Sequence, residues 1–350
     1  MNGLRSLQLY PAKLGLRRPS ETVRHEATWL VWPDNEGTFP EPIMERVKEI
    51  YVKLIDAIRS SEKVKLVVGD AQAMRDAELT LSRSIGLDGI QLVKIPAQDV
   101  WIRDYGPMFL TGRRGLGGVK FAFNAWGGLY PELMADDLTG LRVLEMVADI
   151  CFLSNYVIEG GMVEIGPNGE AIATKECVLD VKRNGRTTRR AMESALRNYL
   201  GVNRVFWLSK GIVGDDTRGH VDTFVRFGEG GVVLIGEDQS GGPNAERLKA
   251  SRRELEEQLR ASGSSLEVVG VPMPSEVRVL GEPVPATYLN FYVTNGSVIV
   301  PVFGKETDDA SASAIAEAFR GRKLITIRAD ELFYGLGGFH CVTLDEPSRP

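Results

Sequence analysis

The chain has 350 residues, of which 43% are hydrophobic, 25% charged and 8% aromatic, the proportions of an ordinary globular protein. That composition excludes a disordered chain, a collagen-like repeat and a disulfide-dense mini-protein. Lys and Arg number 42 against 47 Asp and Glu, a net charge of -5, which argues against the basic footprint of a nucleic-acid binder.

No apolar run reaches the roughly 18 residues of a membrane helix. Met1 to Arg18 lacks the continuous apolar stretch of about 7 to 15 residues that a signal peptide carries. The cysteines Cys151, Cys177 and Cys341 are odd in number and suit free thiols in a reducing compartment. A cytoplasmic protein with no membrane or nucleic-acid partner is therefore expected.

In chain order, Ile43, Met44, Val47, Ile50, Tyr51, Leu54, Ile55 and Ile58 share one helical face, with Glu45, Lys48 and Asp56 opposite, which predicts a helix over 43–58. A strand at 63–68, a helix at 71–83 and a strand at 91–95 follow. Next come a strand at 118–125 and helices at 136–150 and 188–200. Strands are expected at 204–207, 221–227 and 231–235, then a helix at 245–261. Strands at 266–271, 288–294 and 298–302, a helix at 308–319 and a strand at 323–327 complete the chain. Gly, Pro and Asn punctuate the junctions.

From the third helix onward, helices recur roughly every 50 to 65 residues with strands on both sides, a repeating strand–strand–helix–strand unit. Such a unit cannot close a core alone, so a cyclic stack of about five is one expectation and an open α/β sheet the other. No linker-like segment divides the chain, and one domain over 1–350 is expected.

Five stretches are unusually rich in Gly, Trp and charge: 99–107, 124–128, 159–161, 214–222 and 335–341. In Gly219-His-Val-Asp-Thr-Phe-Val-Arg-Phe227, alternation along an extended strand would put His220 and Asp222 on one face. An imidazole and a carboxylate so placed can serve one ligand, the first on protons and the second on a cation. The alternative is a polar edge strand. Cys341 follows a glycine-rich loop and is a candidate nucleophile, although a lone cysteine is commonly a small buried apolar residue. His340 points away from Cys341 on an extended chain and is an unlikely base for it. Asp104 and Glu159 each sit beside glycines, where a turn or capping role is the plain alternative. No metal-ligand spacing such as C-x-x-C or H-x-x-x-H is present.

Taken together, these blocks resemble the agmatine deiminase family of the guanidine-modifying, or pentein, superfamily. The likeness begins at His25-Glu-Ala-Thr-Trp-Leu-Val-Trp-Pro33 and runs through 99–107, 124–128, Glu159-Gly-Gly161, 214–222 and Tyr288-Leu-Asn-Phe-Tyr292. It ends at Phe339-His-Cys-Val-Thr343, so that residues 19–344 are covered in register. The resemblance implies an α/β fold, a five-bladed α/β propeller with pseudo-fivefold symmetry. It also implies hydrolysis of the agmatine guanidinium to N-carbamoylputrescine and ammonia.

By that resemblance Cys341 is the nucleophile and His220 the general acid/base. Asp104 and Asp222 bind the guanidinium, Glu159 supports the imidazole, and Trp101 forms an aromatic wall. Asp99, Trp126, Asp216 and Gly338 are expected around the substrate. No cofactor or metal is implied, and a homo-oligomer is a family-level expectation. The thiol would react as thiolate, activated by cationic His220, by the bound guanidinium, or by both.

The chain departs from the family pattern at Thr22, Arg24, Leu344, Asp345 and Arg218. On an extended strand Arg218 would share a face with His220 and could hold the carboxylate of free arginine. The plain alternative is an ion pair with Asp215 or Asp216. If those acids face the pocket instead, they suit a terminal ammonium. A deiminase of free or peptidyl arginine, a non-catalytic guanidinium-binding module and an amidinotransferase are the competing readings.

Overall fold

The computed structural model describes residues 9–350. The six long helices lie at Ile43–Arg59, Ala71–Ser84, Asp136–Val147, Arg189–Leu200, Ala245–Ser262 and Asp308–Glu317. Their ends follow local chemistry. Asp70 caps the second by accepting hydrogen bonds from the backbone of Gln72 and Ala73, and Thr188 caps the fourth at Ala191. The expected helix at 136–150 stops at Val147, because Ile150 opens a strand, Ile150–Val157.

The strands form five sheets of three or four strands and one separate hairpin. Each of the five repeats one pattern, an antiparallel pair followed by a parallel strand reached through a helix. In the first sheet the antiparallel partner of His25–Val31 is Leu344–Pro347, so the two ends of the fold close on each other. The fold is a mixed α/β structure built from repeats.

Several short or polar strands were beyond periodicity, among them Val163–Ile165 and Glu170–Thr174. The strand expected at 288–294 is reduced to Tyr292–Val293. The strand expected at 221–227 is real only at Val225–Phe227. Val221–Thr223 is a 3-10 turn with His220 at its N-cap.

That last difference reveals how the fold gathers chemistry. The first strand of a sheet is entered five times from a tight turn, and the turns carry Asp104 (before Met108–Gly112), Glu159 (before Val163–Ile165), and His220 with Asp222 (before Val225–Phe227). Asn290 precedes Tyr292–Val293, and Cys341 precedes Leu344–Pro347. Equivalent points of five repeats thus converge on one place.

Close packing holds the first of these turns. Gly140, in helix Asp136–Val147, lies so near the turn at Ile102–Tyr105 that an added Cβ would stand 1.9 Å from the Tyr105 carbonyl oxygen and 2.7 Å from Lys120 Cε. Neither backbone can yield cheaply. Gly140→Ala should therefore destabilise the protein by about 1–3 kcal/mol through overpacking, read as a lower urea midpoint, and should lower activity because Asp104 sits in the displaced turn. An unchanged midpoint would contradict this packing account.

Candidate active site

Cys341 lies at the bottom of a cavity of about 430 Å³. Trp101, Asp104, Trp126, Asp99, Tyr130, Asp216 and Leu336 are among its lining residues. Trp101 forms one wall, packed on Phe39 with ring centroids 6.1 Å apart. Gly335 and Gly337 permit that wall, since a Cβ on Gly337 would stand 2.4 Å from the Trp101 ring. Gly338 does not line the cavity. It packs instead against the Phe333 ring and the Asn290 side chain.

Behind the cavity floor stand His220, Asp222 and Glu159, each 1% exposed. His220 Nε2 is 2.9 Å from Glu159 Oε2, and Arg183 Nε donates to both oxygens of Glu159 at 2.9 Å. Arg183 is itself fixed by Asp180 and by the Thr217 carbonyl. His220 Nδ1 lies 3.7 Å from Asp104 Oδ2, beyond hydrogen-bond reach. The Trp126 indole N–H donates to that same Asp104 oxygen at 2.9 Å, and the Gly161 N–H donates to the other at 3.1 Å.

Asp222 Oδ2 is 2.6 Å from His340 Nδ1, accepts from Asn290 Nδ2 at 3.3 Å, and stands 3.9 Å from the Cys341 sulfur. Its other oxygen, Oδ1, is buried without a hydrogen-bond partner, and so is His220 Nδ1. Both orphaned atoms border one small space. A Cβ on Gly161 would lie 2.5 Å from His220 Nδ1 and 3.0 Å from Asp222 Oδ1. Buried polar atoms are almost always paired, so two orphans facing the same point mark where a ligand with N–H donors and an acceptor is accommodated. Only glycine at 161 leaves that point open.

The electrostatics follow from burial. Burial pushes the Asp104 carboxyl up to about 6; His220 opposes this, while Glu159 and Asp222 add to it. Burial likewise raises Asp99 to about 6, against hydrogen bonds from Thr38, Val100 and Asn35. For Glu159 burial is outweighed by Arg183 and His220, and its carboxyl is lowered. Asp222 is lowered as well, where His340 overcomes burial. Burial opposes protonation of His220, but Asp104, Cys177 and Glu159 hold the imidazole well above its ordinary range. Burial, Asp222 and Asp104 together drive the Cys341 thiol well above its ordinary range, with Gly338 and His220 only partly offsetting them. The free site is therefore a cationic imidazole, carboxylates and a protonated thiol.

The structure thus gathers Cys341, His220, Asp104, Asp222 and Glu159, and places Trp101, Trp126, Asp99 and Asp216 on the cavity. Asp99 is already engaged, accepting from Thr38 and Asn35 of a distant loop and from its neighbour Val100. Sharing of a face by His220 and Asp222 comes from the 3-10 turn, not from a strand. Arg218 needs correction too. Its φ of 66° breaks strand alternation, and its guanidinium pairs with Asp180 at 3.0 Å, not with Asp215 or Asp216. It lines a different cleft. Asp215 caps the same loop, accepting from the backbone of Thr217, Gly219 and His220, while Asp216 accepts from the Tyr130 hydroxyl at 2.6 Å.

Arg183, His340, Asn290 and Cys177 were not identified by sequence as parts of the site. Glu159, Cys177 and His220 bring potential ligand atoms within 4.8 Å of one another, the one such trio among the described residues. A metal there would compete with Arg183, whose guanidinium already occupies Glu159.

A family model described as Porphyromonas-type peptidyl-arginine deiminase matches residues 17–347. A relative from Legionella pneumophila is 33% identical over 341 residues, covering 96% of each chain. The agmatine deiminase of Ectopseudomonas mendocina is 31% identical over 373 residues and covers 98% of each. Among solved structures, the agmatine deiminase of Enterococcus faecalis superposes with a TM-score of 0.89 at 28% identity, covering 99% of this chain and all of that one. With the model match spanning nearly its whole length, the chain belongs to the Porphyromonas-type peptidyl-arginine deiminase family.

Proposed function

We propose that this protein hydrolyses the guanidinium of agmatine, releasing ammonia and leaving N-carbamoylputrescine. The observation that carries the substrate is the charge of the cavity. Asp99, Asp104, Glu132, Asp216 and Glu282 line it, and no Lys, Arg or His stands among its lining residues. A substrate cationic at both ends is matched by acids at the floor and at the mouth, whereas the carboxylate of free arginine would meet only like charge. The agmatine deiminase names of the relatives support the same choice. The family's own name keeps peptidyl arginine as the rival. The five repeated sheets support the further reading that the fold is a single-domain, five-bladed α/β propeller with pseudo-fivefold symmetry.

The mechanism follows from the geometry. Asp104 and Asp222 flank the floor, so a planar guanidinium can pair with both by charge-assisted hydrogen bonds, with the free Oδ1 of Asp222 as one acceptor. Its carbon is then presented to Cys341. Arrival of the cation offsets the two carboxylates that hold the thiol protonated, which favours activation by the substrate. The thiol loses its proton to solvent as the cation binds, the resulting thiolate attacks carbon, and the C–N bond breaks as His220 gives its proton to the leaving ammonia. Water next adds to the S-alkylthiouronium with His220 as base, and cleavage of the C–S bond frees the ureido product. Glu159, anchored by Arg183, keeps the imidazole aimed and cationic.

Ammonia release should favour agmatine over arginine by at least about a hundredfold in kcat/KM, as charge mismatch at an acidic mouth implies. A blocked arginine peptide is the third substrate to compare. Arg218→Ala should leave the ratio unchanged, because Arg218 lies outside the cavity. Equal use of arginine, or a ratio altered in that variant, would refute the assignment.

Alkylation offers a direct view of the thiol. Without substrate, Cys341 should react slowly with iodoacetamide at pH 7 and accelerate only above the ordinary thiol range. Guanidinium-free Asp222→Asn protein should react faster, having lost one charge that suppresses the thiolate. A fast reaction at pH 7 in the free wild-type enzyme would contradict substrate activation.

A further inference from the structure

His340 immediately precedes Cys341, yet its ring turns away from the cavity into a buried chain of charges. Its Nδ1 is 2.6 Å from Asp222 Oδ2 and its Nε2 is 2.8 Å from Glu21 Oε2. Both partners are carboxylates held below their ordinary range. For Glu21, burial is overcome by Arg226, His340 and Arg103. The ring thus bridges two carboxylates, with one nitrogen within hydrogen-bond distance of each.

The rest of the surroundings fixes the ring. Its backbone N–H donates to Asn290 at 3.1 Å, and its carbonyl accepts from Arg103 Nε at 3.1 Å. Glu21 is pinned in turn by Arg103 at 3.1 Å and Arg226 at 2.9 Å. His340 is therefore a rigid strut between the core and one oxygen of Asp222.

We propose that His340 is a positioning residue for the reaction: by engaging Oδ2 from behind, it fixes the plane of the Asp222 carboxylate and leaves Oδ1 as the single free acceptor facing the substrate. This rests on the functional reading above. The physical argument is one of alternatives. Asp222 offers two oxygens, and a carboxylate free to rotate about its Cβ–Cγ bond would meet the guanidinium in several geometries. Nucleophilic attack by Cys341 tolerates few of them, since misplacing a reacting group by about 1 Å costs on the order of a hundredfold in rate. His340 also gives Asp222 Oδ2 a close hydrogen-bond partner in a buried place.

Two isosteric variants separate positioning from bulk stability. In His340→Asn the amide nitrogen falls near the place of Nδ1 and can still donate to Asp222. In His340→Gln the amide reaches the place of Nε2, toward Glu21, and the Asp222 contact is lost. Both lose the imidazole ring. Ammonia release from agmatine, thermal midpoint and the division between kcat and KM are measured for each, beside wild type.

His340→Gln should lose about a hundredfold in kcat with KM changed less than about threefold, and His340→Asn should recover about tenfold of that loss at a similar thermal midpoint. Equal kcat in the two variants, a better His340→Gln, or a kcat within about threefold of wild type in either would overturn the proposal. Should neither variant fold, Glu21→Gln decides. It keeps an acceptor for Nε2 but removes the carboxylate charge that holds the ring from behind, and it should lower kcat at least about threefold with the fold intact; an unchanged kcat overturns the proposal. A wild-type protein that turns over no guanidine while remaining folded would instead refute the functional reading, and the positioning role with it.

Discussion

Three carboxylates, Asp104, Glu159 and Asp222, are buried around a single point, each at most 6% exposed. Like charges out of water are costly, and the rest of the site consists of the means by which the fold supports them. Arg183 neutralises Glu159, His340 engages one oxygen of Asp222, and the Trp126 indole and Gly161 amide serve Asp104. What remains is an unpaired Asp222 oxygen, an unpaired His220 nitrogen and an Asp104 carboxyl pushed up to about 6. A guanidinium supplies the missing charge and a donor for the Asp222 oxygen, which ties substrate recognition to charge balance.

The same surplus of negative charge governs reactivity. A thiol among carboxylates stays protonated, and an enzyme so built does not expose a standing thiolate to stray electrophiles. Cation binding removes the suppression only where the correct group has arrived. Selectivity for the far end of the substrate uses identical logic on a smaller scale: Glu132, Asp216 and Glu282 come from distant segments to one rim, and each would repel a carboxylate.

Much of this was legible in the sequence. The long helices and the repeated unit followed from periodicity, and the gathering of Asp104, Glu159, His220, Asp222 and Cys341 from their glycine-rich surroundings and the family resemblance. What was hidden depends on partners far apart along the chain. Glu21 and His340 are 319 residues apart, and no local pattern announces their contact. Alternation did not apply at His340 and Cys341, since both lie in a turn and both approach Asp222 Oδ2. It failed at Arg218, where a left-handed backbone turns the side chain to Asp180. The 3-10 turn at Val221–Thr223 escaped notice because its residues are as β-prone as the strand that follows.

The central claim is that buried carboxylates recognise the cation, and proton linkage tests it most directly. Because Asp104 titrates at about 6 in the free protein and a bound guanidinium favours its ionised form, binding near that pH must expel protons. Calorimetric titration of agmatine into Cys341→Ala protein at pH 6, in buffers of different ionisation enthalpy, counts them without interference from the thiol. The account predicts net proton release at pH 6 and weaker binding as the pH falls further. Binding with no proton exchange, or with proton uptake, would contradict it.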